Sequence, residues 1–220
     1  MKFKEITKSF KNNNKCFKVL DNIDINIKPA QIILINGSSG IGKTTLLNIL
    51  GCLLRPDNGM LHFEDKVYDL NLDDMEKFRV ENYSYVFQNF NLLPEFNVYE
   101  NLLIPAIINK LNINDTKKQI HDILEYMNIL DLKYSFPNLL SQGEKQRIAF
   151  LRSLIGNQSI ILADEPTGNL DEINTKIILD LIVNINKDFK KTFVIASHDN
   201  EFLKIADVVY LIKNGKLVKE

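Results

Sequence analysis

"QIILINGSSGIGKTTLLNIL", Gln31 to Leu50, holds a strand, a loop and a helix in one continuous run. Gln31 to Asn36 is short and almost wholly apolar, the pattern of a strand covered on both faces. Gly37-Ser38-Ser39-Gly40-Ile41-Gly42-Lys43-Thr44 then satisfies G-x-x-x-x-G-K-[ST]. Glycines let backbone N–H groups turn inward around phosphate oxygens, and the helix start behind them adds a positive dipole end. Lys43 is placed to reach terminal phosphates, and the Thr44 hydroxyl suits Mg²⁺. From Thr44 onward "TTLLNILGCLL" has helical apolar spacing until "RPDNG" stops it. A buried strand before the glycines and a helix after them is the context a phosphate loop requires.

Outward from this stretch the alternation of strand and helix continues. "DNIDINI" (Asp21 to Ile27) alternates polar and apolar residues, as a half-buried strand does. A short strand is expected around Val86 to Gln88, a second buried strand at "SIILAD" (Ser159 to Asp164), then "TFVIAS" (Thr192 to Ser197) and "VVYLI". Helices are expected from about Asp171 and near Glu201, and "LIKNGKLV" reads as a hairpin with Asn214-Gly215 in a type I′ turn. From Asn89 to about Asn157 the pattern is mainly helical. The expectation is an α/β domain with a mainly parallel sheet and a helical insertion.

The chain has 220 residues, 45% apolar and 25% charged, which suits one globular domain with a substantial core. A formal net charge of −1 provides no global basic field, so no nucleic-acid partner is expected. Cys16 and Cys52 are far apart and form no CxxC or Cys/His cluster, so reduced thiols and a cytosolic setting are expected. "MKFKEITKSF" has no apolar segment of signal-peptide type, and "LLIPAII" (Leu102 to Ile108) falls far short of the roughly 20 residues a spanning helix needs. Any membrane role is expected to run through a partner. "KNNNK" (Lys11 to Lys15) reads as a short polar loop.

Two further stretches carry chemistry. "IILADEP" puts Asp164 and Glu165 at the C-terminal end of a buried strand, the edge where open α/β sheets bind ligands. Asp164 is suited to hold Mg²⁺ through its water shell, and Glu165 to orient or deprotonate an attacking water. "IASHDN" repeats the arrangement with His198 at a strand end, in reach of a γ-phosphate, although a capping or loop histidine fits the same pattern. Gln88, also beyond a strand, is a polar group plausible near Mg²⁺. His62 and His121 have no such position and read as structural. "LLSQGEKQR" (Leu139 to Arg147) contains Ser141 three residues before Glu144, a capping box that opens a second helix.

Taken in order, these segments resemble the ATP-binding cassette (ABC) ATPase family over the full length of the chain. "GSSGIGKT" is similar to its Walker A loop, "IILADE" to Walker B, Gln88 to the Q-loop glutamine, "LSQGE" (Leu140 to Glu144) to the signature motif, "GNLD" (Gly168 to Asp171) to the D-loop, and His198 to the switch histidine. The resemblance implies a P-loop NTPase (RecA-like) core, about 1–88 and 158–220, with a small antiparallel β subdomain and a helical subdomain, about 89–157. It implies ATP and Mg²⁺ as cofactors, with ATP held by Phe10 (an aromatic placed for adenine stacking, or else a core Phe), Gly37 to Thr44, Thr45 and Gln88. Thr44, Gln88 and Asp164 would serve the metal, and Glu165 and His198 catalysis. It further implies a head-to-tail dimer in which Ser141, Gln142, Gly143, Glu144 and Asp171 face nucleotide on a second copy. Gln142 and Glu144 stand where the family's commonest signature has glycine and glutamine. Glu144 favours the capping box but brings negative charge beside phosphates.

"NILGCLLRPDNG", "FQNFNLLPEFNVYENLLIPA" and "ILADEPTGNLD" look like the lipoprotein-release and macrolide-export (LolD/MacB type) branch. That implies a peripheral subunit on the cytoplasmic face of a membrane, energising separate integral subunits that dock near the Q-loop and helical subdomain, where Phe90, Leu92, Phe96 and Tyr99 lie. The same apolar residues would also serve the insertion's own core. An importer cassette and a non-transport cassette protein are the rival readings.

Overall fold

The computed structural model describes residues 1–12, 15–70 and 75–220. Asn13 and Asn14, the centre of the polar stretch read as a loop, lie outside them, while Lys11, Asn12 and Lys15 belong to strands. The chain opens with β1 (Lys2–Asn12) and β2 (Lys15–Asn26), then β3 (Ile32–Asn36), α1 (Lys43–Leu50), β4 (Asn58–Phe63), β5 (Lys66–Asp69), α2 (Met75–Asn82) and β6 (Tyr83–Val86). Three helices follow, α3 (Val98–Ile108), α4 (Ile113–Tyr126) and α5 (Gln142–Leu154). The return comprises β7 (Ile160–Asp164), α6 (Glu172–Phe189), β8 (Thr192–Ser197), β9 (Val208–Lys213) and β10 (Lys216–Lys219).

A six-stranded sheet runs β10-β9-β3-β8-β7-β6, parallel except for the final hairpin, and a four-stranded antiparallel sheet runs β2-β1-β4-β5. β3 is central, which explains its unbroken apolar run. Ile33 and Ile35 pack on one side against α1 and the antiparallel sheet, whereas Ile32 and Leu34 pack on the other against the helices. Period two therefore survives in a strand that shows no polar alternation. The final hairpin turns on Asn214 and Gly215, both at positive φ (51° and 75°), as a type I′ turn demands.

Several elements differ from the sequence reading. The strand expected at Val86 to Gln88 is β6, ending at Val86, so Gln88 lies just beyond it in the loop. The element near Glu201 is a 3-10 turn, Asn200–Lys204. Residues 89–96 are turns, and the helical run starts only at Val98, where the Asn97 side chain accepts from Glu100 N–H and the Glu100 carboxylate accepts from Asn97 N–H. β1 shows no strand period in the sequence because Glu5 sits at φ 55° and the pairing register shifts there, so the buried Phe3 and Ile6 are three residues apart.

Every parallel strand points its C-terminal end to the same edge. The segments after β3, β6, β7 and β8 therefore converge: the phosphate loop, Gln88, Glu165 and His198.

Candidate functional site

The phosphate loop joins β3 to α1. Gly42 adopts φ 112°, and a Cβ there would come within 2.7 Å of Val19 Cγ1, so this position admits glycine alone. Unlike α3, α4, α5 and α6, capped by Asn97, Asn112, Ser141 and Asp171, α1 has no side-chain cap and no acid in its first turn. Its first N–H groups are thus left without a side-chain acceptor, as a helix start that receives an anion requires. Lys43 is only 5% exposed, and its ammonium donates to Gly37 O at 2.8 Å and Ser38 O at 3.2 Å.

Glu165 follows β7 at φ 43°, a strained setting for a non-glycine residue, held by its N–H donating to Ala196 O at 2.8 Å. Its Oε1 lies 3.1 Å from Lys43 Nζ. Its Oε2 lies 2.9 Å from His198 Nδ1 and accepts from the Ser197 hydroxyl at 3.1 Å. Burial pushes the Glu165 carboxyl up, but the bonds from His198 and Lys43 outweigh it and hold the group below its ordinary range. Asp164 is the opposite case: burial pushes it up, the Thr44 bond only partly offsets this, and the Glu165 charge beside it adds to the rise.

Thr44 Oγ1 donates to Asp164 Oδ1 at 3.0 Å, and Gln88 lines the same cleft. A hydroxyl, an amide and a carboxylate make an all-oxygen donor set. It fits Mg²⁺, which binds through one or two protein oxygens and keeps its waters. The cleft, about 390 Å³, is walled by Ser39, Gly40, Thr45, Glu165 and His198, with Phe10 and Val19 on the β side. That volume is in the range of small-ligand sites. Phe10 is 43% exposed, so the reading of it as a core residue fails. Lys8 Nζ stands 5.6 Å from the centre of its ring, itself tethered to Arg55 O and Asp57.

The structure thus brings the phosphate loop, Asp164, Glu165, Gln88, His198 and Phe10 together. Ser141, Gln142, Gly143, Glu144 and Asp171 are absent from this cleft. Ser141 caps α5, its hydroxyl accepting from Glu144 N–H at 3.3 Å while Glu144 Oε2 accepts from Ser141 N–H at 2.8 Å and from the hydroxyl at 2.9 Å. Asp171 caps α6. His62 and His121 are exposed on β4 and α4 and take no part in the cleft. Sequence reasoning missed Ser197, although its place beside His198 at a strand end was a usable signal. It also missed Val19 and Phe17, which became relevant only through strand pairing: Phe17 sits directly opposite Phe10 and is 53% exposed.

The apolar segment after Gln88 divides as the sequence suggested. Phe90, Leu92 and Tyr99 pack partly against the helical core, and Leu93 and Phe96 stay exposed. Among the described residues no helix is long and apolar enough to cross a membrane.

A family profile described as "ABC transporter" matches residues 20–168. The lipoprotein-releasing system ATP-binding protein LolD of Buchnera aphidicola subsp. Schizaphis graminum is 38% identical over 213 residues, covering 96% of this chain and 93% of that protein. The uncharacterized ABC transporter ATP-binding protein MJ0796 of Methanocaldococcus jannaschii is 35% identical, covering 100% and 96%. A dimeric structure of MJ0796 superposes with a TM-score of 0.87 at 34% identity, covering 100% of this chain and 97% of that one. Another, with the same TM-score at 33% identity and the same coverage, is described as a post-hydrolysis state bound to ADP and Pi. This chain belongs to the ABC transporter family, as one of its ATP-binding, ATP-hydrolysing subunits.

Proposed function

We propose that this chain hydrolyses ATP as a head-to-tail dimer on the cytoplasmic face of a membrane and so drives lipoprotein extraction or a related outward or mechanical step in separate integral subunits. One observation carries the reading: the phosphate loop, the Asp164-Glu165 strand end and His198 meet in one cleft, whereas the helix start at Ser141 faces elsewhere. Each copy then owns half of two different sites, and a second copy completes both. The dimeric MJ0796 cassette supports this arrangement. The names of the LolD relatives favour release over import. The core is assigned to about 1–88 and 158–220 and the helical subdomain to about 89–157.

In this mechanism the phosphate loop N–H groups and Lys43 bind the β- and γ-phosphates, and the base stacks on Phe10. Thr44, Asp164 and Gln88 would hold Mg²⁺, which when bound neutralises charge on the phosphate oxygens. Glu165 orients a water in line with the γ-phosphate and draws off its proton; His198 holds the carboxylate in place through Nδ1. Ser141 and the first N–H groups of α5 meet the γ-phosphate of the other copy. A groove of about 420 Å³ beside the Gln88 loop, lined in part by Phe87, Leu93, Ile104, Pro105 and Arg152, supports docking of a membrane subunit there.

The test is affinity capture of the tagged chain from detergent-solubilised membranes of its own cell, with and without Glu165→Gln. Integral proteins should co-purify and stimulate ATP turnover. Ribosomes or DNA in their place, with no integral protein, would overturn the reading.

A further inference from the structure

Of the two signature departures from the family pattern, Gln142 is exposed, while Gly143 beside it is buried against another helix. The physical reason is Asn174. A Cβ built on Gly143 would lie 2.1 Å from Asn174 Oδ1 and 2.6 Å from its Cγ, so no side chain fits there unless Asn174 moves. At Gln142 the chain tolerates a long polar residue because its side chain points to solvent.

Asn174 is itself held fast. Its backbone N–H donates to Asp171 Oδ1 at 2.8 Å and its side-chain amide donates to the same oxygen at 2.9 Å. Asp171 is both the N-cap of α6 and the last residue of the "GNLD" segment. With the amide nitrogen committed to Asp171, the amide oxygen is turned towards the first turn of α5, where a helix start favours negative charge. The bond to Asp171 therefore sets the amide against Gly143, so the starts of α5 and α6 meet at this one side chain.

We infer that Asn174 is a positioning residue: it sets the angle at which α5 presents Ser141 and Gly143, and ties that angle to the Asp171 end of α6. The inference rests on the sandwich reading above, in which both ends address nucleotide on a second copy. It makes the two ends one rigid unit, so that Ser141 and Gly143 meet the neighbouring γ-phosphate while Asp171 faces the same nucleotide. Misplacing α5 by a fraction of a turn would weaken both contacts while leaving the copy's own phosphate loop intact.

The experiment uses the full chain with Glu165→Gln, and reads ATP-driven dimerisation by analytical ultracentrifugation and nucleotide binding by titration with a fluorescent ATP analogue. Asn174→Ala should raise the ATP concentration for half-maximal dimer by about tenfold, from loss of helix-end contacts. Analogue binding to the monomer should stay within about twofold, because the phosphate loop is untouched. With Glu165 intact, the same substitution should raise the apparent KM for ATP by a factor similar to that for dimerisation, with kcat at saturating ATP little changed. Gly143→Ala should block dimerisation, and Gly143→Ala with Asn174→Gly should recover it in part, since the clash is gone. Should Asn174→Ala fail to fold, Asn174→Ser carries the same test. Parent-like dimerisation by Asn174→Ala, or no recovery in the double variant, overturns this inference alone. A Glu165→Gln parent that stays monomeric at saturating ATP overturns the sandwich reading and this inference with it.

Discussion

Lys43 and Glu165 are joined across the cleft by an ion pair of 3.1 Å, one carboxylate oxygen on the ammonium and the other on His198. Both side chains are largely buried, so each charge depends on its partner. In the proposed mechanism a γ-phosphate on the loop would share Lys43 with Glu165, while the His198 contact would hold the carboxylate in place.

Glu165→Gln removes the base and loosens its hold on Lys43 in one step. Turnover measured by phosphate release should fall by about 10²–10⁴-fold, the usual worth of a positioned general base. Binding of ATP should persist, and an ATP-dependent dimer should accumulate in gel filtration. Turnover equal to the parent's would remove Glu165 from its assigned role.

Phe10→Ala should weaken ATP binding by roughly 1–3 kcal/mol, the worth of one base on an aromatic platform. Phe10→Tyr should bind as the parent does. Fluorescent-analogue titration separates these outcomes, and an unchanged Kd in Phe10→Ala would place the base elsewhere.

Glu144 is held below its ordinary pKa range chiefly by the Ser141 N–H it accepts from, with the Ser141 hydroxyl and Arg147 assisting. Its folded value is depressed, so its stabilising contribution is present above the ordinary value of 4.5 and fades as pH falls through the lower folded one. The stability gap between parent and Glu144→Gln, followed by urea denaturation, should therefore narrow at acid pH. At neutral pH and low salt the same substitution should tighten ATP-driven dimerisation, because a negative charge is removed beside phosphates; added salt should erase the difference. Weaker association at low salt would count against the electrostatic account.

The two thiols should differ sharply. Cys16 is exposed, whereas burial pushes the Cys52 thiol up to about 12, with Arg79 only partly opposing. At pH 8 roughly one Cys52 in ten thousand is thiolate, the reactive form. Limited maleimide treatment followed by peptide mass spectrometry should find Cys16 alone modified. Early labelling of Cys52 would mean that its surroundings open in solution.

Much of the site was legible because phosphate chemistry restricts residue types within a few positions. Glycines, Lys43 and Thr44 must be neighbours in sequence to be neighbours around one phosphate, and Asp164 and Glu165 must close a buried strand. β1, β4, β5 and α2 were not legible. Their apolar residues, Phe3 and Ile6 or Met75 and Phe78, are few and spaced by bulges or by single helical turns, so neither period emerges from the sequence.

By itself, then, the sequence determined the order of strand, loop and helix, the phosphate-binding chemistry and the capping box at Ser141, because each depends on residues at most a few positions apart. Only the tertiary structure decided that Glu165 bridges Lys43 and His198, that Phe10 stands open to the cleft beside Val19, and that Asn174 leaves no room for a Cβ at Gly143. Those contacts join segments separated by tens of residues or more. Such separations are closed by sheet order and helix packing, which no local spacing encodes.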